Sequence, residues 1–281
     1  MKVSNEYYEV VVVVAPQDFS EIAADMFTQV GAFAIEERTK GDFIELRSVV
    51  SCDLGQLARM LGPGCTVNLE RIAKSAVDTW RQFMQPIQVS AVLTIQPAWM
   101  SVDMGQEVNS GSTLLIDPVD SFGMGDHPTT ILCLQALELQ NLTGVDVLDV
   151  GCGSGVLSIW ADKRGANHVD AIDISSSAVA ATKLNAELNN VESLSVGLWD
   201  SYNPQKRYGV VVANILAPVL IELAELISNS ITSSGVLILS GIRSEQSAKV
   251  TACYQRFSTT NIAELDGWQC LTLRKDPQFQ V

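Results

Sequence analysis

Two patterns of apolar and polar positions follow one another along the chain, and the first covers about 72 residues. Residues 7–14 are mostly β-branched or aromatic, which predicts a strand. Apolar residues then recur at helical spacing between Pro16 and Gly31, which predicts a helix. The remaining elements are strands at 33–37, 43–50 and 67–72 and a helix at 53–61. The order βαββαβ predicts a ferredoxin-like α+β domain over residues 1–72.

The second pattern begins near residue 110, after a less regular region at 73–109 that we assign to a linker. From 110 to 281, strand-like runs alternate with helical runs, and the last predicted helix covers 244–257. This alternation predicts an α/β domain made of βαβ units with a mostly parallel sheet. The expected contents of the linker are a helix at 76–84, a strand at 89–95 and two tryptophans that anchor the domains, Trp80 and Trp99.

The charge balance narrows the possible partners. The 281 residues include 18 Lys and Arg against 32 Asp and Glu, for a formal net charge of -14. Surfaces that bind nucleic acid are usually basic, so we expect no direct nucleic-acid contact. An acidic surface attracts a basic protein partner. Because many proteins are acidic without such a partner, the charge leaves both interpretations open.

The cysteines and the N-terminal sequence bear on metal binding and location. None of the six cysteines forms a C-x-x-C pair and only two histidines occur, so we expect no metal site. The apolar run at 10–15 is too short for a signal-peptide core or a membrane span. Scattered cysteines suit a reducing compartment. We therefore expect a cytoplasmic protein with no membrane association.

A glycine-rich loop joins a predicted strand at 147–150 to a predicted helix that begins at Val156. Its glycines, Gly151, Gly153 and Gly155, allow a sharp turn and close contact between the backbone and a ligand. A dinucleotide fingerprint requires a third glycine where Val156 stands, whereas the observed G-x-G-x-G spacing is typical of S-adenosylmethionine binding. We predict an S-adenosylmethionine-dependent methyltransferase. A nucleotide-dependent oxidoreductase is the second class considered.

Two acidic residues flank this loop in the predicted sheet. Asp173 ends the strand after the loop, 22 residues beyond Gly151, where a carboxylate can accept hydrogen bonds from both ribose hydroxyls. The alternative for Asp173 is to cap the following helix. Asp149 directly precedes the loop and has two possible roles, which are to brace the loop backbone or to bind the amino group of the cofactor.

Two further segments are expected at the same edge of the sheet. Asn214 ends an apolar strand and is predicted to orient an attacking amine, with a turn or cap residue as the alternative. The loop at 117–130 holds Phe122, which we expect to line the methyl-transfer pocket, and Thr130, which follows Pro128 into a helix. His127 is either a general base or a structural loop residue, and we favour the structural role.

Several segments together resemble the ribosomal protein L11 methyltransferase family. Residues 122–130 are similar to its F-G-T-G-T-H-P-T-T segment, and 147–155 to its V-L-D-x-G-C-G-S-G segment. The other matching segments are N-I-L-A at 214–217, S-G-I at 240–242, the closing strand at 268–275 and the linker pieces at 78–80 and 97–99. The resemblance covers nearly the whole chain, and the combination of N-I-L-A with H-P-T-T is specific.

This resemblance implies a Rossmann-like class I methyltransferase domain with a seven-stranded sheet, and an N-terminal domain that recognises the ribosomal protein. It implies methyl transfer to lysine side chains and the α-amine, most simply of L11. The cofactor contacts that it implies are Thr130, Gly151, Asp173 and Asn214, beside Gly153 of the loop.

The chain departs from the family pattern at Met124 and Asp126, at 119–120 and at 174–176. These departures leave the exact protein substrate open. Another protein, a small molecule or a non-catalytic binding role remain alternatives.

Overall fold

The computed structural model of the chain describes residues 7–19, 23–24, 27, 35–48, 54–73, 85–98, 100, 113–117, 125 and 127–276. Two compact units make up the chain, Met1–Met84 and Gln85–Val281. The boundary between them falls inside the predicted linker at 73–109. The limits of the two domains at residues 72 and 109 are still predictions from the sequence.

The small unit contains a four-stranded antiparallel sheet in the order β2-β3-β1-β4. Alternate residues of the first strand, Val11 and Val13, are buried against helical residues that include Phe27 and Leu57. This order is that of the predicted ferredoxin-like fold. The element bounds are β1 Tyr7–Pro16, β2 Glu36–Lys40, β3 Phe43–Ser48, α1 Leu54–Leu61 and β4 Thr66–Ala73.

The large unit is built on a seven-stranded sheet in the order β10-β9-β8-β11-β12-β14-β13. The first five strands of this order run parallel, whereas β14 and β13 form an antiparallel hairpin at one edge. The chain order reverses between β8 and β11, which is where ligands bind in such sheets. The strands are β8 Asp146–Val150, β9 His168–Asp173, β10 Leu194–Leu198, β11 Tyr208–Asn214, β12 Ile231–Arg243, β13 Phe257–Leu265 and β14 Trp268–Lys275.

Helices cover both faces of this sheet, so neighbouring residues of the central strands enter different cores. Val210 and Val212 belong to one core, and Val211 and Ala213 belong to the other. Strands buried on both faces read as continuous apolar runs, as β11 does. The helices are α2 Pro128–Glu138, α3 Val156–Lys163, α4 Ser176–Leu188, α5 Ala217–Glu222, α6 Ala224–Asn229 and α7 Ser247–Thr251.

A small sheet of β5 Ile87–Gln88, β6 Thr94–Pro97 and β7 Thr113–Ile116 also belongs to the large unit. The predicted single strand at 89–95 is wrong, because a turn interrupts it. In that turn the Val89 N–H donates to the Leu93 carbonyl at 3.0 Å. Both side chains are buried in a core of the large unit, so this part of the predicted linker packs as core.

The predicted helix at 244–257 is also wrong in extent. A short 3-10 helix, Ser244–Gln246, leads into α7, and the chain leaves helical geometry after Thr251. Phe257 is instead buried at the start of β13, so this residue begins a strand and does not extend the helix. The helix predicted at 76–84, together with Trp80 and Trp99, lies outside the described residues. In the part of the chain that is described, no helix combines the length and apolar character needed to cross a membrane.

Candidate active site

The glycine loop follows β8 and turns sharply before α3. All three of its glycines have positive φ, at 77° for Gly151, 55° for Gly153 and 81° for Gly155. A Cβ on Gly151 would stand 2.4 Å from Ile215 Cγ2. A Cβ on Gly155 would stand 2.6 Å from Thr182 Cγ2. Both the backbone conformation and the close neighbours therefore require glycine here.

Hydrogen bonds from the next βα unit hold the loop in place. The N–H groups of Gly151 and Cys152 donate to the Ile172 carbonyl at 2.8 and 3.1 Å. The Thr182 hydroxyl donates to the Gly153 carbonyl at 3.0 Å. These hydrogen bonds fix the conformation of the loop at the carboxyl end of β8.

Asp173 ends the neighbouring strand β9 and contacts the loop directly. Its Oδ2 accepts a hydrogen bond from the Gly153 N–H at 3.0 Å, and its Oδ1 accepts one from the Ser175 N–H at 2.9 Å. The N-cap of α4 is Ser175 itself, whose hydroxyl accepts from Ala178 N. Asp173 therefore both supports the start of this helix and braces the loop. A carboxylate oxygen accepts more than one hydrogen bond, so these contacts leave capacity for ribose hydroxyls.

Asp149 lies beneath the loop and is fully buried. Its Oδ2 accepts a hydrogen bond from the Ser158 hydroxyl at 2.6 Å, which ties β8 to α3. Oδ1 has no hydrogen-bond partner among the described residues. Burial raises the pKa of Asp149 to about 7, the Ser158 hydrogen bond opposes this rise, and the negative charge of Asp173 adds to it. The residue thus braces the helix after the loop through Ser158.

Asn214 ends β11 at the same edge of the sheet. Its Nδ2 donates to the Thr130 hydroxyl at 3.3 Å, and Thr130 is buried in the first turn of α2. Ala213 lies opposite Val150, the residue before the loop, so Asn214 begins its turn beside the loop. The structure therefore brings Thr130, Asp173, Asn214 and the loop glycines to one edge of the sheet.

The position of His127 agrees with the structural role that the sequence favoured. It is the N-cap of α2, and its Nδ1 accepts a hydrogen bond from the Thr129 N–H at 3.3 Å. The same nitrogen lies 2.7 Å from the Thr129 hydroxyl. The imidazole also packs edge-on against Trp268, with ring centroids 5.1 Å apart. Phe122, predicted to wall the pocket, lies outside the described residues.

Sequence reasoning missed several residues that support the site. Thr182 and Ser158 are buried polar side chains within helical segments, where a single sequence gives no sign of their partners. Gly241 has φ +84°, and a Cβ there would stand 2.2 Å from the Ile215 carbonyl oxygen. This close approach explains the glycine of the S-G-I segment, because that strand packs on the turn after Asn214.

Comparison with known proteins adds a family relationship. The family model described as "Ribosomal protein L11 methyltransferase (PrmA)" matches residues 8–276. A protein named ribosomal protein L11 methyltransferase from Shewanella amazonensis is 40% identical over 215 residues, which cover 75% of this chain and 72% of the relative. A protein of the same name from Alteromonas mediterranea is 38% identical over 211 residues, covering 75% and 71%.

A solved structure is similar as well. The crystal structure of ribosomal protein L11 methylase from Lactobacillus delbrueckii subsp. bulgaricus is 29% identical, with a TM-score of 0.62. The match covers 69% of this chain and 100% of that chain.

Proposed function

Because the chain belongs to the ribosomal protein L11 methyltransferase family, we propose that it transfers methyl groups from S-adenosylmethionine to amino groups of ribosomal protein L11. The acceptors are lysine side chains and the α-amine. The observation that carries this proposal is the common position of the glycine loop, Asp173 and Asn214 at the carboxyl ends of adjacent strands.

The residues at this edge fit S-adenosylmethionine. The backbone of Gly151 and Gly153 would contact the methionine part, where the positive φ of both residues favours glycine. The carboxylate of Asp173 would accept hydrogen bonds from the ribose hydroxyls. Thr130 and Asn214, which are hydrogen-bonded to each other, would contact the cofactor beside the loop. The unpartnered Oδ1 of Asp149 offers a further acceptor beneath the loop for the amino group. When bound, the cofactor supplies an electrophilic methyl group on a sulfonium centre.

The chain then has to position a neutral amine in line with that methyl group and exclude water. A lysine amine has a pKa near ~10.4 in water and must lose its proton before it attacks. Water can take this proton, so we assign deprotonation to water and give His127, whose Nδ1 contacts Thr129, a structural role. The side-chain oxygen of Asn214 orients the amine, and Phe122 closes the acceptor side.

The proposal extends to substrate recognition and location. The small ferredoxin-like unit recognises the ribosomal protein, and a net charge of -14 favours a basic protein substrate over nucleic acid. We place the protein in the cytoplasm, where ribosomal proteins meet their modifying enzymes and the described thiols stay reduced.

Labelled S-adenosylmethionine and purified L11 test the proposal, with mass spectrometry to locate the added methyl groups. We expect label on amino groups of L11 with the wild-type protein. Asp173→Ala should lose most of the transfer at low cofactor concentration, because both the brace on the loop and the ribose acceptor disappear.

Label on another protein but none on L11 would contradict the assignment of L11 as the substrate. It would leave the assignment of the methyl-transfer reaction in place. A rise in melting temperature with NAD(H), and none with S-adenosylmethionine, would instead support the oxidoreductase alternative.

A further inference from the structure

Asn185, in the third turn of α4, joins two segments that are distant in the sequence. The side chain is fully buried. Its Nδ2 donates to the Ser154 carbonyl of the glycine loop at 2.9 Å and to the Asp117 carbonyl at 3.0 Å. Its Oδ1 accepts a hydrogen bond from the Asp117 N–H at 2.8 Å. One amide thus contacts both the cofactor loop and the segment that leaves β7.

Asn189 repeats part of this arrangement one helical turn later. Its Oδ1 accepts from the Leu115 N–H at 2.9 Å, and its Nδ2 donates to the Leu115 carbonyl at 2.6 Å. Residues four apart in a helix rise about 6 Å, close to the ~6.6 Å between alternate residues of a strand. The two asparagine side chains therefore form hydrogen bonds along β7, as the backbone of a neighbouring strand would. Within its own sheet, β7 pairs with β6.

The two asparagines differ in one respect, because only Asn185 reaches the glycine loop. The segment that it holds, 113–117, leads into the chain that enters α2 at His127 and supplies Thr130. Among the described residues, the Asn185 amide therefore connects the glycine loop with the segment that leads toward α2.

We propose that Asn185 is a positioning residue that couples the cofactor loop to the segment leading into the acceptor side of the site. This inference rests on the proposed function, since it assigns the loop to S-adenosylmethionine. Asn185 holds the Ser154 carbonyl and the Asp117 backbone at once, so a ligand that stabilises the loop also stabilises the Asp117 segment. Asn189 holds the same segment without contacting the loop.

Matched leucine variants of the full chain test this coupling, because leucine replaces the amide with an apolar group of similar size. Asn185→Leu and Asn189→Leu should both lower the melting temperature, since each removes two hydrogen bonds to β7 or the residue after it. Only Asn185→Leu should weaken S-adenosylhomocysteine binding measured by calorimetry, by about tenfold, the effect of one lost buried hydrogen bond. Asn189→Leu should bind within about twofold of wild type, because Asn189 contacts Leu115 and the Asn185 carbonyl but not the glycine loop.

Hydrogen exchange adds a readout that loss of stability alone would not move. In the wild-type protein, S-adenosylhomocysteine should slow exchange of the Asp117 amide, and this response should vanish in Asn185→Leu but persist in Asn189→Leu. If Asn185→Leu does not fold, Asn185→Ser is the substitute, because serine keeps a donor and should show a smaller loss of affinity.

Equal affinity losses in the two leucine variants, or wild-type affinity in Asn185→Leu, would overturn the coupling. So would a wild-type Asp117 amide that does not respond to the ligand. These results leave the proposed function intact if the wild-type protein still methylates L11. A wild-type protein that binds neither S-adenosylmethionine nor S-adenosylhomocysteine would overturn both.

Discussion

Replacing Asp149 with asparagine should make the stability of this protein less dependent on pH. Asp149 is fully buried, and burial raises its pKa from 3.8 to about 7. The folded state therefore keeps a proton that the unfolded state releases between these two values. The stabilisation from this proton is fully present below pH 3.8, decreases as pH rises, and is lost by about pH 7.

The size of the effect follows from the two pKa values. Each pKa unit corresponds to about 1.4 kcal/mol, so the full difference is about 4 kcal/mol. Between pH 5 and pH 8 the folded protein should lose about 2–3 kcal/mol of unfolding free energy through Asp149 alone. Asparagine has no such titration, and it keeps an oxygen that can accept from the Ser158 hydroxyl.

Urea denaturation of the wild-type protein and Asp149→Asn at several pH values measures this difference. The stability of Asp149→Asn relative to wild type should increase by about 2–3 kcal/mol from pH 5 to pH 8. Asp170→Asn is the matched control. Burial acts to raise the pKa of Asp170, but hydrogen bonds from Lys206 and Tyr208 outweigh it and hold the pKa below its usual value. Its difference from wild type should be nearly constant over this range.

A difference between Asp149→Asn and wild type that stays constant within about 0.5 kcal/mol from pH 5 to pH 8 would contradict this prediction. It would mean that the buried carboxyl does not change its charge in this range. A difference of the opposite sign would mean that the carboxylate is stabilised under the loop.

Two further predictions concern the loop and the acceptor side. Gly155→Ala should destabilise the protein by about 2–5 kcal/mol in urea denaturation, from left-handed backbone strain and the contact with Thr182. Gly267→Ala, also at positive φ but with its nearest neighbour at 3.7 Å, should cost only about 1–2 kcal/mol, and equal losses would contradict the steric argument. Asn214→Ala should lower kcat about 100-fold in the methylation assay. Asn214→Asp, which keeps an acceptor oxygen, should retain more turnover, and unchanged turnover in Asn214→Ala would exclude the orienting role.

Elements marked by a pattern over a few residues could be predicted from the sequence without the structure. The β-branched and aromatic residues at 7–14 predicted the first strand, and the apolar run that ends at Asn214 predicted β11. The strand at 89–95 was misjudged because the turn before Leu93 leaves the apolar pattern almost unbroken.

Much of the candidate site could also be predicted from residues that are close together in the sequence. Three glycines after a buried strand, with Asp173 at the next strand end, indicated the cofactor edge because parallel strands end on the same side of a sheet. The assignment of individual residues to cofactor contacts stays a prediction. The favoured structural role of His127 agrees with its position as a helix cap.

The two element patterns, the glycine loop and the strand ends that carry the candidate residues could be predicted from the sequence alone, since each depends on neighbours a few positions away. Which polar groups meet depends on the tertiary structure. Asn214 and Thr130 are 84 positions apart, and Asn185 and Asp117 are 68 apart. The raised pKa of Asp149 likewise depends on its complete burial by packed elements. Such contacts leave no local periodicity, because hydrogen-bond geometry and dielectric surroundings arise only when distant segments pack together.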